Sequence, residues 1–437
     1  NALRSLGFQY AFDQGGELPA AKRDGLKQET LRYERTIEQN AAAIAERASL
    51  RPEIEFLIHH LTVREERYRA LERLALTNDT FVLEGYIPVT ALAVVQELEQ
   101  MGAAVDLADP GPEEDVPVLL KNNGFVEGVE PITEMFSMPS REDVDPNPVM
   151  SFFYYMLFGI MLSDAAYGVI MVLVALYALK KLQLKPSMRK TMKLFLYCGI
   201  STVFWGAMFG SWFGDAVAVI SRTFFGKEIV AGPLWFEPLQ DPMLMLMVSC
   251  VVGGIHILFG LGTKFYALWK QGNKLDAVFD AGFWMVLLLG VGGLIGGASI
   301  APWVGTAGKY LAIIGAAGIV LTGGRSAKNV FAKLGVGLYS LYGASGYLSD
   351  ILSYSRLLAL GLATGVVATV FNSIAAMGGK SVLGAIIFII VFVIGHTVNI
   401  AINLLGAYVH TNRLQYVEFF TKFYNGGGTA FRPLRAN

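Results

Sequence analysis

Residues 396–413 read HTVNIAINLLGAYVHTNR and lie inside an apolar stretch that extends from about residue 382 to 420. A stretch of this length can cross a bilayer as a helix. Its polar residues recur with the helical period and project within an arc of about 100°. They are His396, Asn399, Asn403, His410 and Arg413. Because ionisable side chains are costly at membrane depth, we predict that this polar stripe faces another helix, water or a moving partner.

The composition extends the membrane assignment to the last two thirds of the chain. Of 437 residues, 54% are hydrophobic and 16% are charged, whereas soluble domains carry about 25% charged residues. Residues 1–149 hold 14 basic and 27 acidic residues, and residues 150–437 hold 21 and 9. An acidic, water-exposed portion therefore precedes a basic membrane portion.

We predict a membrane domain over residues 149–437, built from about eight helices and ending in two long helices with polar stripes. The first apolar stretch, 150–179, contains the break LSDAA at 162–166, which predicts a short helical hairpin. The remaining apolar stretches are about 192–220, 242–268, 277–299, 308–323, 349–376 and 382–420.

Basic residues cluster in three loops, which the positive-inside rule places in the cytoplasm. They are Lys180, Lys181, Lys185, Arg189, Lys190 and Lys193, then Lys264, Lys270 and Lys274, then Arg325, Lys328 and Lys333. The opposite loops are short and almost uncharged. This pattern predicts a multi-pass membrane protein, with the acidic portion and the C-terminus in the cytoplasm.

Residues 1–148 are expected to form a cytoplasmic stalk that lacks its N-terminal part. Apolar residues at helical spacing predict a coiled coil over 18–76 that folds back near Ser49 to Pro52. A small α/β cap is predicted over 79–109, from a strand at 80–87, a helix at 89–101 and a strand at 103–107. Pro and clustered carboxylates mark 110–148 as a linker. The predicted fold class is thus mainly α.

Other polar residues stand alone in apolar surroundings. Arg356 shares a helix side with Ser349 and Ser353, and its alternatives are a channel role, snorkelling to the interface or pairing with Asp350. Asp164 and His256 are each compatible with a structural or a functional role. His396 is compatible with a hydrogen bond to a neighbouring helix or with a proton relay.

Two arginines on neighbouring helices suggest a device for ion transfer. A guanidinium stays protonated, so it stabilises the ionised form of a carboxylate brought against it and releases that carboxylate's proton or ion. The last two helices carry no central carboxylate; Asp350 and Glu418 lie near their predicted cytoplasmic ends. The main ion carrier is therefore expected on another subunit.

The chain resembles the membrane stator subunit of rotary V-type and A-type ATPases, called subunit a or subunit I. The two long motifs that carry the resemblance are YLSDILSYSRLLALGLA at 347–363 and GAYVHTNRLQYVEFFTKFY at 406–424. Shorter matching segments are LEGYIP at 83–88, VLLKN at 118–122, EMF at 134–136, MLSDAAYG at 161–168 and GIH at 254–256.

The resemblance implies that Arg356 and Arg413 are the half-channel arginines that face the essential carboxylate of the rotor ring. The implied lining of two offset half-channels is Asp164, His256, Asp350, Ser353, His396, Asn399, Asn403, His410, Gln415 and Glu418. Asn403 and Thr364 depart from the glutamate and histidine of eukaryotic members. The short external loops resemble those of a bacterial or archaeal member, which implies a prokaryotic cell membrane. The implied partners are the ring of proteolipid c subunits, peripheral-stalk subunits, a central-stalk adaptor subunit and the lipid bilayer.

Two other functions fit parts of the sequence. A secondary ion-coupled transporter with a cytoplasmic regulatory stalk would also have polar membrane helices, but it predicts an internal repeat that we do not find between 150–290 and 300–437. A purely structural anchor would not explain the stripe. The chain has no phosphate-loop motif, and we expect no cofactor, metal or nucleic-acid site; the transported ion would be H⁺ or Na⁺.

Overall fold

A computed structural model describes residues 19–433 except residues 73, 112–113, 228, 230–231 and 326–328. The chain is mainly helical, as predicted. The described residues form two compact units, one comprising residues 19–87 with 432–433 and the other Pro88–Phe431. The N-terminal part predicted to be missing would precede Asn1 and lies outside the described residues.

The first unit contains helices α1 (Pro19–Arg47) and α2 (Arg51–Leu71), joined by a 3₁₀ turn at Ala48–Leu50. Arg47, Leu50 and Arg51 all have right-handed helical dihedral angles, so the chain continues in the same sense through this turn. The predicted reversal near Ser49 to Pro52 was therefore wrong. Pro52 lies in the first turn of α2, where a helix needs no donor from it, so this proline permits a helix start without forcing a turn.

The apolar positions of α1 and α2 stay exposed; Ile37 is 66% exposed and Ile54 53%. After α2, β1 (Ala75–Leu76) pairs antiparallel with β2 (Phe81–Val82). The predicted strand at 103–107 is absent from these described residues, because the strand at Phe81 pairs with the chain just before it through a turn closed by Thr77 and Thr80.

The second unit begins with a 3₁₀ turn at Val89–Ala91 and helix α3 (Ala93–Gln100), where a helix was predicted. The expected linker also holds a 3₁₀ turn at Glu127–Val129 and helix α4 (Glu130–Phe136). Backbone bridges join Val118 to Ala430 and Met138 to Gly428. The C-terminal segment therefore anchors this part of the predicted linker.

Helices α5 (Asn147–Leu162), α6 (Ala165–Lys181) and α7 (Pro186–Phe209) form a three-helix unit. Gly159 packs on Ser201, whereas Gly168 packs on Val203 and Gly199. On α5, Tyr155 and then Gly159 contact Tyr197 and then Ser201, so α5 and α7 run in the same direction. On α6, Ala165 and then Gly168 contact Gly206 and then Val203, so α6 runs the opposite way and the chain reverses between α5 and α6. The reversal lies at Ser163, whose positive φ of 42° is left-handed, inside the predicted break.

The middle of the unit is rich in glycine. Helix α8 (Ala216–Ile220) continues into a π-helical turn at Ser221–Phe225 and is followed by α9 (Pro242–Lys270). Next come α10 (Lys274–Ala277), a π-helical turn at Val278–Gly282, α11 (Phe283–Ile300) and α12 (Pro302–Gly323). A Cβ at Gly290 would lie 2.2 Å from the Ala312 nitrogen, so small residues let α11 and α12 approach closely.

The last four helices are α13 (Val330–Tyr342), α14 (Ala344–Ser353), α15 (Ser355–Ala376) and α16 (Val382–Arg413). A π-helical turn at Leu414–Phe419 and a 3₁₀ turn at Phe420–Lys422 extend α16. Gly395 of α16 packs on Phe371, and Gly406 packs on Leu360, so α15 and α16 are antiparallel neighbours.

Six helical stretches of the described chain are long and apolar enough to cross a membrane. They are Pro186–Phe209, Pro242–Lys270, Lys274–Gly297, Pro302–Gly323, Phe331–Ala376 and Val382–Lys422. Helix α5 is apolar but shorter, with 16 residues. The larger count of eight membrane helices stays a prediction.

Candidate functional site

Buried polar side chains on α16 and on the turn that extends it belong to two clusters. The first, the His396 cluster, lies where α16 meets α6 and α15 and consists of Tyr167, Asp215, Asn372, His396, Asn399 and Asn403. Apart from Asp215, which is partly exposed, each of these residues is at most 6% exposed. The second, the Glu418 cluster, lies at the other end of α16 and consists of His256, Ser353, Arg356, Gln415 and Glu418.

Hydrogen bonds connect every member of the His396 cluster. His396 Nε2 lies 2.9 Å from Asn372 Oδ1, and His396 Nδ1 lies 2.6 Å from the Tyr167 hydroxyl. Asn372 Nδ2 donates to Asp215 at 2.9 Å and to the Phe213 carbonyl at 2.8 Å. Of the two alternatives for His396, the hydrogen bond to a neighbouring helix is present in the structure.

The series of hydrogen bonds continues along α16 to Asn403. Asn399 Nδ2 donates to the Tyr167 hydroxyl at 2.8 Å and to the Thr364 carbonyl at 3.2 Å. Asn403 Nδ2 donates to Asn399 Oδ1 at 2.6 Å and to the Asn399 carbonyl at 2.9 Å. Thr364 therefore contributes its backbone to this cluster, while its hydroxyl bonds to Leu360.

Asp164 lies beside this cluster, but its bonds are those of a helix cap. Its carboxylate accepts five hydrogen bonds, from the backbone of Ala166, Tyr167, Phe213 and Gly214 and from the Ser211 hydroxyl. It is fully buried at the N-terminus of α6, where a negative charge is stabilised by the helix dipole. Of its two alternatives, this geometry favours the structural one.

Asp164→Ala should therefore damage the fold more than an ordinary cap substitution. A lost cap costs about 0.5–2 kcal/mol, and each buried donor left unpaired adds about 1–3 kcal/mol. We expect little subunit to reach the assembled complex, measured as the amount of this chain that purifies with its partners. Asp241→Ala is the control, because Asp241 precedes α9 without a side-chain cap bond; equal recovery of both variants would contradict the cap role.

The Glu418 cluster is held by one ion pair. Arg356 Nη1 lies 3.2 Å from Glu418 Oε1, and the Glu418 side chain is 2% exposed. Ser353 lies beside the same carboxylate. The other carboxylate oxygen, Oε2, is buried and has no partner among the described residues. The alternative pairing of Arg356 with Asp350 was wrong, because Asp350 pairs with Lys422.

His256 joins this cluster from α9. Its ring is stacked between Phe153 and Phe419, with centroid distances of 4.4 and 4.5 Å, and its Nδ1 lies 2.6 Å from the Tyr354 hydroxyl. Gln415 lies beside it. Within the described residues, His256 Nε2 and both polar atoms of the Gln415 side chain are buried without a partner. Such groups require water or another polar ligand.

Arg413 stands between the two clusters and belongs to neither. It is exposed, and no described residue pairs with it. The neighbouring positions of α16 form an exposed apolar face: Ile402 (64%), Leu405 (63%), Val409 (50%) and Val417 (50%). His410, one turn earlier, is partly buried and its Nδ1 has no partner among the described residues.

Sequence reasoning missed three members of the His396 cluster. Asn372 and Asp215 are isolated polar residues inside predicted apolar stretches, so a systematic list of such residues would have found them. Tyr167 carried no such signal, since a tyrosine in an apolar helix is usually a packing residue. Asp215 also lines a cavity of about 220 Å³, together with Ser163, Ser211, Glu237 and Thr369.

The profile of the V-type ATPase 116kDa subunit family matches residues 8–226 and 345–436, which is well over half of the chain. The chain belongs to this family. The matched segments contain every residue of the two clusters except His256, and they contain Arg413. The unmatched residues 227–344 include the close-packed pair α11 and α12.

Curated relatives carry related names. The chain is 33% identical over 411 residues to the A-type ATP synthase subunit I of Methanocaldococcus jannaschii, covering 86% of this chain and 58% of that protein. It is 33% identical over 386 residues to the same subunit of Thermococcus kodakarensis, covering 85% and 56%. It is 26% identical to the V-type ATP synthase subunit I of Chlamydia trachomatis, covering 80% and 61%.

The chain thus spans less than two thirds of the length of these relatives. Together with the six membrane-length helical stretches, the family membership makes it a multi-pass membrane protein. The predicted resemblance to the membrane subunit of rotary ATPases is confirmed at the level of the family.

Proposed function

We propose that this chain is the membrane stator subunit of a rotary A/V-type ATPase and conducts H⁺ or Na⁺ through two half-channels against a rotor ring of c subunits. The observation that carries the proposal is Arg413, an exposed guanidinium on an apolar face that pairs with no residue in the described part of the chain. An unpaired arginine facing lipid is costly. A carboxylate that arrives on a partner helix would compensate its charge each time the two meet.

The two clusters support the half-channels. Asn403 on α16 and Glu418 in the turn that extends it are 15 residues apart, or about 22 Å at 1.5 Å per residue. Between them, most α16 residues before Thr411 are apolar: Leu404, Leu405, Ala407 and Val409. Two polar regions at different depths, interrupted at Arg413, suit two aqueous paths that do not connect directly. An ion would then cross only on the rotor.

Each cluster has a route toward one membrane surface in this proposal. The cavity at Asp215 and Glu237 adjoins the loop before α9, which the charge pattern predicts to be external. The Glu418 cluster lies near the basic C-terminal end of α16, predicted to be cytoplasmic. Its buried unpaired atoms on His256, Gln415 and Glu418 are suited to bind water.

In this proposal the remaining partners bind the first unit. Peripheral-stalk subunits and the central-stalk adaptor subunit would be on the cytoplasmic side, and α1 with α2 would resist the torque of the rotor. The exposed apolar residues of these helices, such as Ile37 and Ile54, are available for a helical partner.

The test is ion uptake by the reconstituted complex. Vesicles containing the complete complex, supplied with ATP, should accumulate H⁺ or ²²Na⁺, and vesicles containing the complex without this subunit should hydrolyse ATP without uptake. Uptake that persists without the subunit would refute the proposal. Uptake of a solute by the chain alone, driven by an ion gradient and independent of ATP, would favour the secondary transporter instead.

A further inference from the structure

The amide groups of the His396 cluster all point in one direction along the chain of hydrogen bonds. Each of the three asparagines donates to a main-chain carbonyl, which can only accept. Asn372 donates to Phe213, Asn399 to Thr364 and Asn403 to Asn399. These carbonyls fix which end of each amide is the NH₂ group, because a flipped amide would place oxygen against oxygen.

The fixed amide orientations determine which ring nitrogen of His396 carries the hydrogen. Asn372 presents its oxygen to His396 Nε2 at 2.9 Å, so Nε2 carries the hydrogen. Asn399 donates to the Tyr167 hydroxyl, so the hydroxyl hydrogen is free to point at His396 Nδ1, 2.6 Å away. His396 is then a neutral imidazole with one donor and one acceptor, both of which are used.

A second proton on His396 would break this arrangement. Nδ1–H and Asn399 Nδ2–H would both donate to the Tyr167 oxygen, and the hydroxyl hydrogen of Tyr167 would have no acceptor in the cluster. The carboxylates that face His396 are Asp164 and Asp215. Asp164 accepts five hydrogen bonds from other groups, and Asp215 accepts one from Asn372. Both ring nitrogens of His396 are occupied by Tyr167 and Asn372, so neither carboxylate is hydrogen-bonded to the imidazole.

We infer that His396 is a neutral positioning residue and is not the proton carrier of this half-channel. It keeps a series of hydrogen bonds aligned, in which each group donates to the next from Asn403 toward Asp215. This series of hydrogen bonds begins at Asn403 and ends at Asp215. No described residue donates to Asn403 Oδ1. The inner end of the series therefore offers an oxygen acceptor. The ligand chemistry that fits this end is an O–H donor, either a protonated carboxyl group on a partner helix or water.

The inference rests on the proposed function and is tested by two substitutions at one position. Glutamine has one donor and one acceptor, like the neutral imidazole, but it cannot take up a proton; leucine has neither. We expect ATP-driven uptake by the His396→Gln complex to be at least about tenfold above that of His396→Leu. Leucine leaves two buried groups unsatisfied, the acceptor Asn372 Oδ1 and the hydrogen of the Tyr167 hydroxyl, and tenfold corresponds to about 1.4 kcal/mol. The His396→Gln complex should also keep the wild-type pH profile.

Equal loss of uptake in both variants, or a pH profile altered by His396→Gln, would overturn the inference and restore the proton relay. Thr397→Val is the matched control, since Thr397 is the exposed neighbour bonded only to the Val393 carbonyl. If the leucine variant fails to assemble, ¹⁵N NMR of histidine-labelled wild-type complex supplies the second measurement. A bare Nε2 and a protonated Nδ1 on His396, identified by comparison with His396→Gln, would also refute the inference.

Variants of the rotor subunit distinguish the two possible ligands of Asn403 Oδ1, water and a carboxyl group. Replacing the rotor's carboxylate with its amide keeps an N–H donor, and replacing it with alanine removes the donor. A change in the His396 resonance between these two rotor variants supports a carboxyl ligand, and an unchanged resonance supports water. Failure of the proposed function would appear differently, as uptake that does not depend on Arg413.

Discussion

We expect Arg413→Leu to remove nearly all ATP-driven ion uptake while the subunit still assembles. Arg413 has no partner among the described residues and lies on the exposed apolar face of α16, so its removal leaves no group of this chain unpaired. Removing an arginine from a membrane helix even favours insertion by about 2.5–3.5 kcal/mol. Losing a positioned charge in a low-dielectric site typically costs about 10²–10³ in rate, and we expect uptake to fall by that factor.

The measurement compares uptake per ATP hydrolysed with the amount of this chain in the purified complex. Arg325→Gln is the control, because Arg325 forms ion pairs with Asp276 and Asp280 in a partly exposed loop and should pump normally. A combined loss of assembly and uptake in Arg413→Leu would show that Arg413 has a structural partner, contrary to the exposed geometry.

Arg356→Ala should behave in the opposite way and impair assembly as well as uptake. Its partner Glu418 is 2% exposed, and removing one member of a buried ion pair costs about 3–5 kcal/mol because the other charge stays buried. The double variant Arg356→Ala with Glu418→Ala removes both charges. We expect it to assemble like the wild type, or nearly so, and yet to remain without uptake.

This pair of variants separates structure from transport at Arg356. The readouts are the amount of subunit in the complex and the uptake per ATP hydrolysed. If the double variant recovers uptake, the ion pair is a structural contact and Arg356 lies outside the ion path. If the single variant assembles as well as the double variant, the buried pair contributes nothing measurable to stability.

Much of the membrane part could be predicted because each signal was local. The break at Ser163 and Asp164 has two polar residues in an apolar run, and the structure places the chain reversal there. The spacing of the α16 stripe follows from the helical period alone. That spacing predicted that His396 and Asn399 share a face, and both belong to one hydrogen-bonded cluster.

The failures concern contacts between distant segments. Periodicity shows that α1 and α2 each have an apolar side, but it does not show what covers that side, so the predicted reversal at Ser49 to Pro52 was a guess about partners. The prediction of a strand at 103–107 was wrong for the same reason, because the sequence does not show which segment pairs with the strand at Phe81. The roles of Asp164 and Asp350 depended on partners 47 to 72 residues away, which a single sequence does not reveal.

The most direct test of the central proposal is cross-linking between α16 and the rotor. Val409 lies one turn before Arg413 on the exposed apolar face. With Cys198 and Cys250 replaced by alanine, Val409→Cys should form a cross-link to a cysteine placed one turn from the rotor carboxylate. Leu173→Cys on α6, which is 61% exposed, should not. A cross-link from Leu173→Cys and none from Val409→Cys would place the rotor elsewhere and contradict the assignment of Arg413.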